Sequence, residues 1–103
     1  MKFTSFQLAA MLVAGLPVVA LAQSVPATSA RVLASNCFQC HGTNGRSVGG
    51  IDRLAGMSAS ELIGEMREMR AETPGNNIMK VHARGYTDAQ LTEIAAFFAN
   101  QPR

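Results

Sequence analysis

The sequence predicts a small all-α domain. Two segments carry apolar side chains at helical spacing, and each begins with a capping-box pair. No stretch alternates apolar and polar residues as a half-buried strand would, and glycine and proline are concentrated between the predicted helices. A chain of 103 residues holds one domain at most. We therefore expect three main helices joined by two long loops.

The first 22 residues are expected to be a cleaved signal peptide. Lys2 gives a positive start, an apolar run covers residues 8–21, and an Ala-Leu-Ala cleavage signal ends at Ala22. A transmembrane anchor is the alternative, but the run is short for a bilayer and contains a proline. The prediction is an exported, periplasmic protein: residues 1–22 are removed, and residues 23–103 form a single domain.

Size and charge narrow the class of protein further. A domain this small buries too little apolar surface to be comfortably stable alone, so a staple or a cofactor is expected. The formal net charge of the whole chain is only +2. Nucleic-acid binding needs a strong basic surplus, so this class of function is not supported.

The first two helices are predicted from their position and their caps. One runs from about residue 29 to 36 and leads directly into Cys37. The next starts at Ser58, which forms a capping box with Glu61, and it ends before Pro74. Its apolar face consists of Leu62, Ile63, Met66 and Met69.

The third helix begins at Thr87, with Gln90 as its capping-box partner, and Pro102 closes it. Its predicted buried face consists of Leu91, Ile94, Ala95 and Phe98. The segment 42–50 holds four glycines and is expected to be a loop. Loops this long in a small domain are explained if they surround a cofactor.

The chemistry is concentrated in Cys37-Phe38-Gln39-Cys40-His41, a C-x-x-C-H motif for c-type haem attachment. Two thiols on one turn can each add to a porphyrin vinyl group, and the adjacent imidazole can ligate the iron. The motif therefore predicts one covalent haem c on Cys37 and Cys40, with His41 as the proximal iron ligand.

Three other interpretations of the motif fit the residues less well. A thioredoxin-like pair needs a strand before it and a βαβ frame, which the sequence lacks. Zinc needs four ligands, and only His82 remains to complete the set. A plain disulfide leaves His41 unexplained.

The occupant of the sixth iron position decides the function. The candidates are Met57, Met66, Met69, Met79 and His82. Met66 and Met69 fall on a buried helical stripe, where methionine is more often a core side chain. Met57 stands close to His41 in the chain. We predict Met79 as the distal iron ligand, because it lies in an irregular loop after the second helix. His82 is the leading substitute for this position. If it does not bind iron, it is expected to be a solvated surface histidine.

The order of these features resembles the class I cytochromes c. Three further segments are similar to the cytochrome subunit of flavocytochrome c sulfide dehydrogenase: Asn77-Ile78-Met79, Ala83-Arg84-Gly85-Tyr86-Thr87 and Ala95-Ala96-Phe97-Phe98. The resemblance implies His41 and Met79 as axial ligands and Cys37 and Cys40 as haem attachment sites. It also implies an FAD-bearing partner subunit that oxidises sulfide in the periplasm.

One departure from that pattern concerns the proximal histidine. Gly49-Gly50-Ile51-Asp52 stands where class I cytochromes often place a proline. A backbone carbonyl of this stretch is expected to accept from the His41 ring N–H and to orient the imidazole.

The expected function is one-electron transfer, without catalysis by the chain itself. The donor is expected to be the FAD sulfide dehydrogenase subunit and the acceptor a soluble or membrane protein. A free diffusible carrier is the alternative, and a haem gas-binding or sensor module with an open sixth position is a further one. Four cations were considered for docking a partner at the haem edge: Arg46, Arg53, Lys80 and Arg84.

Overall fold

The computed structural model describes residues 27–103, a range that is helical and contains no strand. Its α-helices are α1 (Ala27–Ala34), α2 (Phe38–His41), α3 (Ala59–Ala71), α4 (Ile78–Ala83) and α5 (Asp88–Ala99). The all-α prediction is confirmed. The predicted signal peptide lies outside the described residues. Within the described range, no helix has the length and apolar character needed to cross a bilayer.

The first predicted helix extends further than expected. After α1, a 3₁₀ turn over Ser35–Cys37 leads into α2, and the junction residues Ala34, Cys37 and Phe38 all keep right-handed helical angles. The helical segment ends at Gly42, which has a φ of 79°. Glycine adopts this angle readily, whereas it is costly for other residues. The cysteine motif is therefore carried at the end of a helical segment that starts at α1.

The other two predicted helix starts are confirmed by their caps. The Ser58 hydroxyl accepts from the Glu61 amide at 3.3 Å, although only this half of the predicted capping box forms. At α5 both halves form: Thr87 Oγ1 accepts from the Gln90 amide at 3.2 Å, and Gln90 Oε1 accepts from the Thr87 amide at 2.9 Å. These bonds satisfy amide donors that a helix start leaves free.

Helix α5 is the centre of the core and packs against both α1 and α3. Its predicted apolar face is buried in full, whereas Ile63 and Met69 of the α3 face are only partly buried. The small side chains Ala30 and Ala34 form the buried side of α1. The core cluster comprises Ala34, Leu62, Met66, Ala83, Leu91, Ile94, Ala95 and Phe98.

The glycine-rich loop after α2 folds back onto α5 through Gly45. The Gly45 carbonyl accepts from the amides of Leu54 and Ala55 at 2.9 and 3.0 Å. A Cβ added at Gly45 would lie 2.8 Å from the Phe98 ring and 2.9 Å from the Ala55 amide nitrogen. Gly45 also has a φ of 77°, so both the backbone angle and the space require glycine.

We therefore expect Gly45→Ala to lower the free energy of unfolding by about 2–4 kcal/mol, through backbone strain and overpacking together. Chemical denaturation of the two proteins measures this difference. Gly49→Ala is the matched control, because nothing lies within 4 Å of a Cβ at Gly49. If Gly45→Ala and Gly49→Ala lose the same free energy of unfolding, position 45 does not specifically require glycine.

An exposed ion-pair cluster joins α3 to the start of α5. Arg70 Nη2 lies 2.5 Å from Asp88 Oδ1, and Arg67 Nη2 lies 3.3 Å from Asp88 Oδ2. The hydrogen bond from Arg70 is the main cause that holds the pKa of Asp88 below its ordinary value, and the charge of Arg67 adds to it.

A group with a lowered folded-state pKa stabilises the protein above its unfolded pKa, and this contribution is lost as the pH falls. Asp88→Asn is therefore expected to be slightly less stable than the wild type at neutral pH. The difference should shrink as the pH drops through the ordinary carboxyl range. Denaturation curves at several pH values test this, with Glu65→Gln as an exposed control on α3. A difference that does not change with pH would count against the ion pair.

Candidate haem site

His41 stands at the end of α2 and is only 8% exposed. Its ring Nδ1 lies 2.6 Å from the carbonyl oxygen of Asp52. A carbonyl can only accept, so the proton is on Nδ1 and the lone pair of Nε2 remains available. The predicted contact between the His41 ring and a carbonyl of the stretch 49–52 is confirmed.

The residue that carries this ring nitrogen borders a cavity. In the part of the chain that the structure describes, no fully buried side-chain nitrogen or oxygen lacks a hydrogen-bond partner. The Nε2 atom makes no hydrogen bond there, so it must retain accessible surface. His41 is one of the residues that border the cavity.

The cavity has a volume of about 320 Å³, and mostly apolar atoms line it. It brings together all four site residues predicted from the sequence. Its lining residues are Asn36, Cys37, Cys40, His41, Gly50, Ile51, Asp52, Met66, Ile78, Met79, His82 and Tyr86. Helices α2, α3 and α4 and the loop before Arg53 each contribute to its walls.

Met79 was expected in an irregular loop, and this expectation is wrong. The residue lies in the first turn of α4, where Asn77 Oδ1 accepts from the Met79 amide at 2.9 Å. This cap allows a six-residue helix to form directly after the turn at Pro74. The Met79 side chain is partly buried and packs against the core cluster.

The other methionines that were candidate iron ligands differ in whether they border the cavity. Met57 borders a different groove, and Met69 packs on the core without reaching the cavity. Met66 was predicted as a core side chain; it is 7% exposed and also borders the cavity. A helix pattern shows that a side chain is buried, but not that a cavity lies beside it.

Sequence reasoning missed two cavity residues, Asn36 and Tyr86, and left two roles open for His82. His82 was the leading substitute for Met79 and otherwise expected at the solvated surface; it is exposed and borders the cavity from α4. Asn36 and Tyr86 also line it, and Asn36 Nδ2 donates to the Tyr86 hydroxyl at 3.2 Å. His82 follows Met79 by three residues, so the two share one face of α4; this relation holds only because the segment is a helix, which the sequence did not predict.

The chemistry of the two cysteines disfavours the alternatives to haem. Burial is the main cause that raises the pKa of the Cys37 thiol, and the neighbouring Cys40 charge acts in the same direction. Redox-active pairs of the thioredoxin type instead have an attacking cysteine with a lowered pKa. No group of three or more potential metal-ligating side chains occurs within residues 27–103.

Two of the cations considered for docking are engaged inside the molecule. Lys80 forms an ion pair with the Glu72 carboxylate, and Arg84 Nη2 donates to the Glu72 carbonyl at 2.6 Å. Arg53 borders a separate groove. Arg46 is the cation that lies beside Cys40, in the glycine-rich loop.

Residues 27–101 match the family model for cytochrome c. The chain belongs to the cytochrome c family. It is thus an electron-transfer protein of a family that carries covalent haem c, and the class I resemblance predicted from the sequence is confirmed.

Relatives of this cytochrome include the cytochrome subunit of sulfide dehydrogenase from Chlorobaculum tepidum, 31% identical over 77 residues, which are 73% of the chain and 70% of the relative. Cytochrome c-554(548) of Halomonas halodenitrificans is 33% identical over 69 residues, or 63% and 83% of the two chains. Cytochrome c-552 of Acidithiobacillus ferridurans is 31% identical over 64 residues, 62% of the chain but only 28% of the relative.

The donor set of the cavity fits a covalent haem. Two thiols, an imidazole with a free Nε2 and a thioether border one apolar cavity, and the chain's only two cysteines are both among them. Thioether attachment uses two cysteines per haem, so the chain has residues for one.

We expect Cys37→Ser/Cys40→Ser to lose covalent attachment, because no thiol remains to form a thioether. Acidified acetone should then extract the haem from the double variant and leave it on the wild type. Gln39→Ala is the matched control, since Gln39 is exposed between the two cysteines. Haem that stays on the polypeptide of the double variant would rule out attachment at these thiols.

Proposed function

We propose that this cytochrome is a periplasmic monohaem electron carrier, and that it is the haem subunit that accepts electrons from an FAD-containing sulfide dehydrogenase. The observation that carries the proposal is the single cavity that joins Cys37, Cys40, His41 and Met79. The four residues come from two separate helical segments, and the fold brings them to one place.

Each of the four residues has a proposed role. Cys37 and Cys40 would hold the haem through thioethers, His41 would bind the iron through Nε2, and Met79 would bind it through sulfur. When bound, haem supplies reversible one-electron chemistry. The Asp52 carbonyl fixes the His41 ring through Nδ1 and so directs Nε2 at the iron.

The surroundings of the site favour a raised reduction potential. A thioether donates weakly to iron and so favours the ferrous state. The apolar side chains Met66 and Ile78 border the cavity and disfavour the additional positive charge of the ferric state. Both effects make the protein a good acceptor for electrons from a reduced flavin.

Ligation by His41 and Met79 together leaves the iron no open position. Substrate cannot then bind to it, and the chain is not an enzyme by itself. A gas-binding or sensor module requires that Met79 stay away from the iron. The burial of Met79 against the core, at the cavity, favours the closed arrangement.

The sulfide dehydrogenase partner is supported by the relative from Chlorobaculum tepidum, which spans most of the chain. The FAD would belong to that partner. The alternative is a free diffusible carrier that serves another dehydrogenase, and the two relatives named only as cytochromes support it. A periplasmic location is supported by the signal-peptide pattern of residues 1–22.

The holoprotein is expected to accept electrons from an FAD sulfide dehydrogenase supplied with sulfide, and to copurify with an FAD protein from its host. Stopped-flow absorbance of the haem measures the reduction, with sulfide alone as the control. Its ferrous spectrum should not change when carbon monoxide is added, because Met79 occupies the sixth position. If only other dehydrogenases reduce the protein, the assignment to sulfide dehydrogenase is refuted. If carbon monoxide rapidly changes the ferrous spectrum, Met79 does not occupy the sixth iron position.

A further inference from the structure

We propose that His82 is a reserve axial ligand: when the Met79 sulfur leaves the iron, the His82 imidazole takes its position. This inference rests on the proposed function, because it requires a haem held at His41. It assigns a ligand role to a residue that the closed His41–Met79 pair does not use.

The placement of the two side chains on α4 is the first observation. Met79 and His82 both border the cavity, whereas Lys80 and Val81 between them do not. Residues three apart share one face of a helix and are separated by about 4.5 Å along its axis. Met79 and His82 therefore present a sulfur and an imidazole to the same cavity.

The burial of the two side chains sets their order. Met79 is partly buried and packs on the core cluster, while His82 is exposed at the edge of the cavity. The sulfur is therefore the resident ligand, and the imidazole must move inward to replace it.

Few contacts oppose that movement. Within the described residues, the polar side-chain contacts of this segment run through Asn77, Lys80 and Arg84, and His82 takes part in none of them. Only Ala83 of α4 is buried in the core, and the preceding residues 75–77 are exposed. An inward shift of His82 therefore breaks no hydrogen bond of its own side chain and disturbs little buried surface.

The lysine on the same helix is a poorer candidate. Lys80 does not border the cavity, and its ammonium group is paired with Glu72. An amine must also lose its proton before it can bind iron, whereas a neutral imidazole binds directly. His82 is therefore the replacement that the structure favours.

The exchange has two consequences. Imidazole is a stronger donor than thioether, so the reduction potential falls when His82 replaces Met79. The sixth position also stays closed to small ligands. A molecule that loses its sulfur ligand would thus become a poorer electron acceptor, but not an open haem.

The test compares Met79→Leu with Met79→Leu/His82→Ala, both as holoproteins. Leucine keeps the side-chain volume against the core, so the fold should be retained. Met79→Ala and Met79→Ala/His82→Ala form a second pair that leaves the imidazole more room. In at least one pair, the single variant should be low-spin when ferric and, when ferrous, should bind carbon monoxide at least tenfold more slowly than the double variant. Free imidazole should restore the low-spin spectrum of the double variant.

His82→Ala alone is the control and should keep the wild-type spectrum, since Met79 still binds. If single and double variants of both pairs bind carbon monoxide at the same rate, His82 is not the reserve ligand. A double variant that stays low-spin without added imidazole would also overturn the inference, because another group would then be binding. Failure of the proposed function is distinguishable, since wild-type haem that binds carbon monoxide readily shows that Met79 is not bound at all.

Discussion

The hydrogen bond from the His41 ring to the Asp52 carbonyl is the contact on which the rest of the site depends. It fixes the proton of the neutral imidazole on Nδ1 and leaves the Nε2 lone pair available in a residue that borders the cavity. The chain holds this carbonyl in place without the proline that class I cytochromes often have there. The amides of Leu54 and Ala55 both donate to the Gly45 carbonyl, and this turns the loop back beneath α2 so that Asp52 meets the imidazole. Gly45, which adopts its positive φ without strain, therefore helps to orient the His41 ring.

The cavity also explains why the core of the domain is small. Among the described residues, the large side chains with essentially no exposure are Phe98, Leu91 and Ile94, and all three belong to α5. Ile51 and Ile78 border the cavity but are 48% and 61% exposed. Apolar side chains of this size are costly to leave in water. A flat apolar ligand in the cavity would cover them, and in the proposed holoprotein the haem therefore completes the core that the helices begin.

The parts of this structure that could be predicted from the sequence are those that local chemistry determines. The caps at Ser58 and Thr87 and the buried face of α5 follow from hydrogen-bond and packing rules that act within a few residues. Helix α4 was missed because six residues carry no periodic pattern, and its start depends on the Asn77 cap. The position of His82 at the cavity depends on how α4 lies against α3, which no local signal encodes. Tertiary packing also exposes Ile63 in part, although its helical pattern predicts burial.

The two proposed iron ligands are held in physically different ways, and this difference determines which of them can be exchanged. His41 is buried at the end of a long helical segment and is fixed by a short bond to a backbone carbonyl. Met79 is partly buried on a six-residue helix that packs against α3, and the polar contacts that tie this helix to Glu72 lie near the surface, where ion pairs contribute little free energy. The sulfur side of the site is therefore the one that yields first. Because that helix also carries His82 on the same face, a loss of the sulfur ligand brings a second protein ligand to the iron before any small molecule from the solvent.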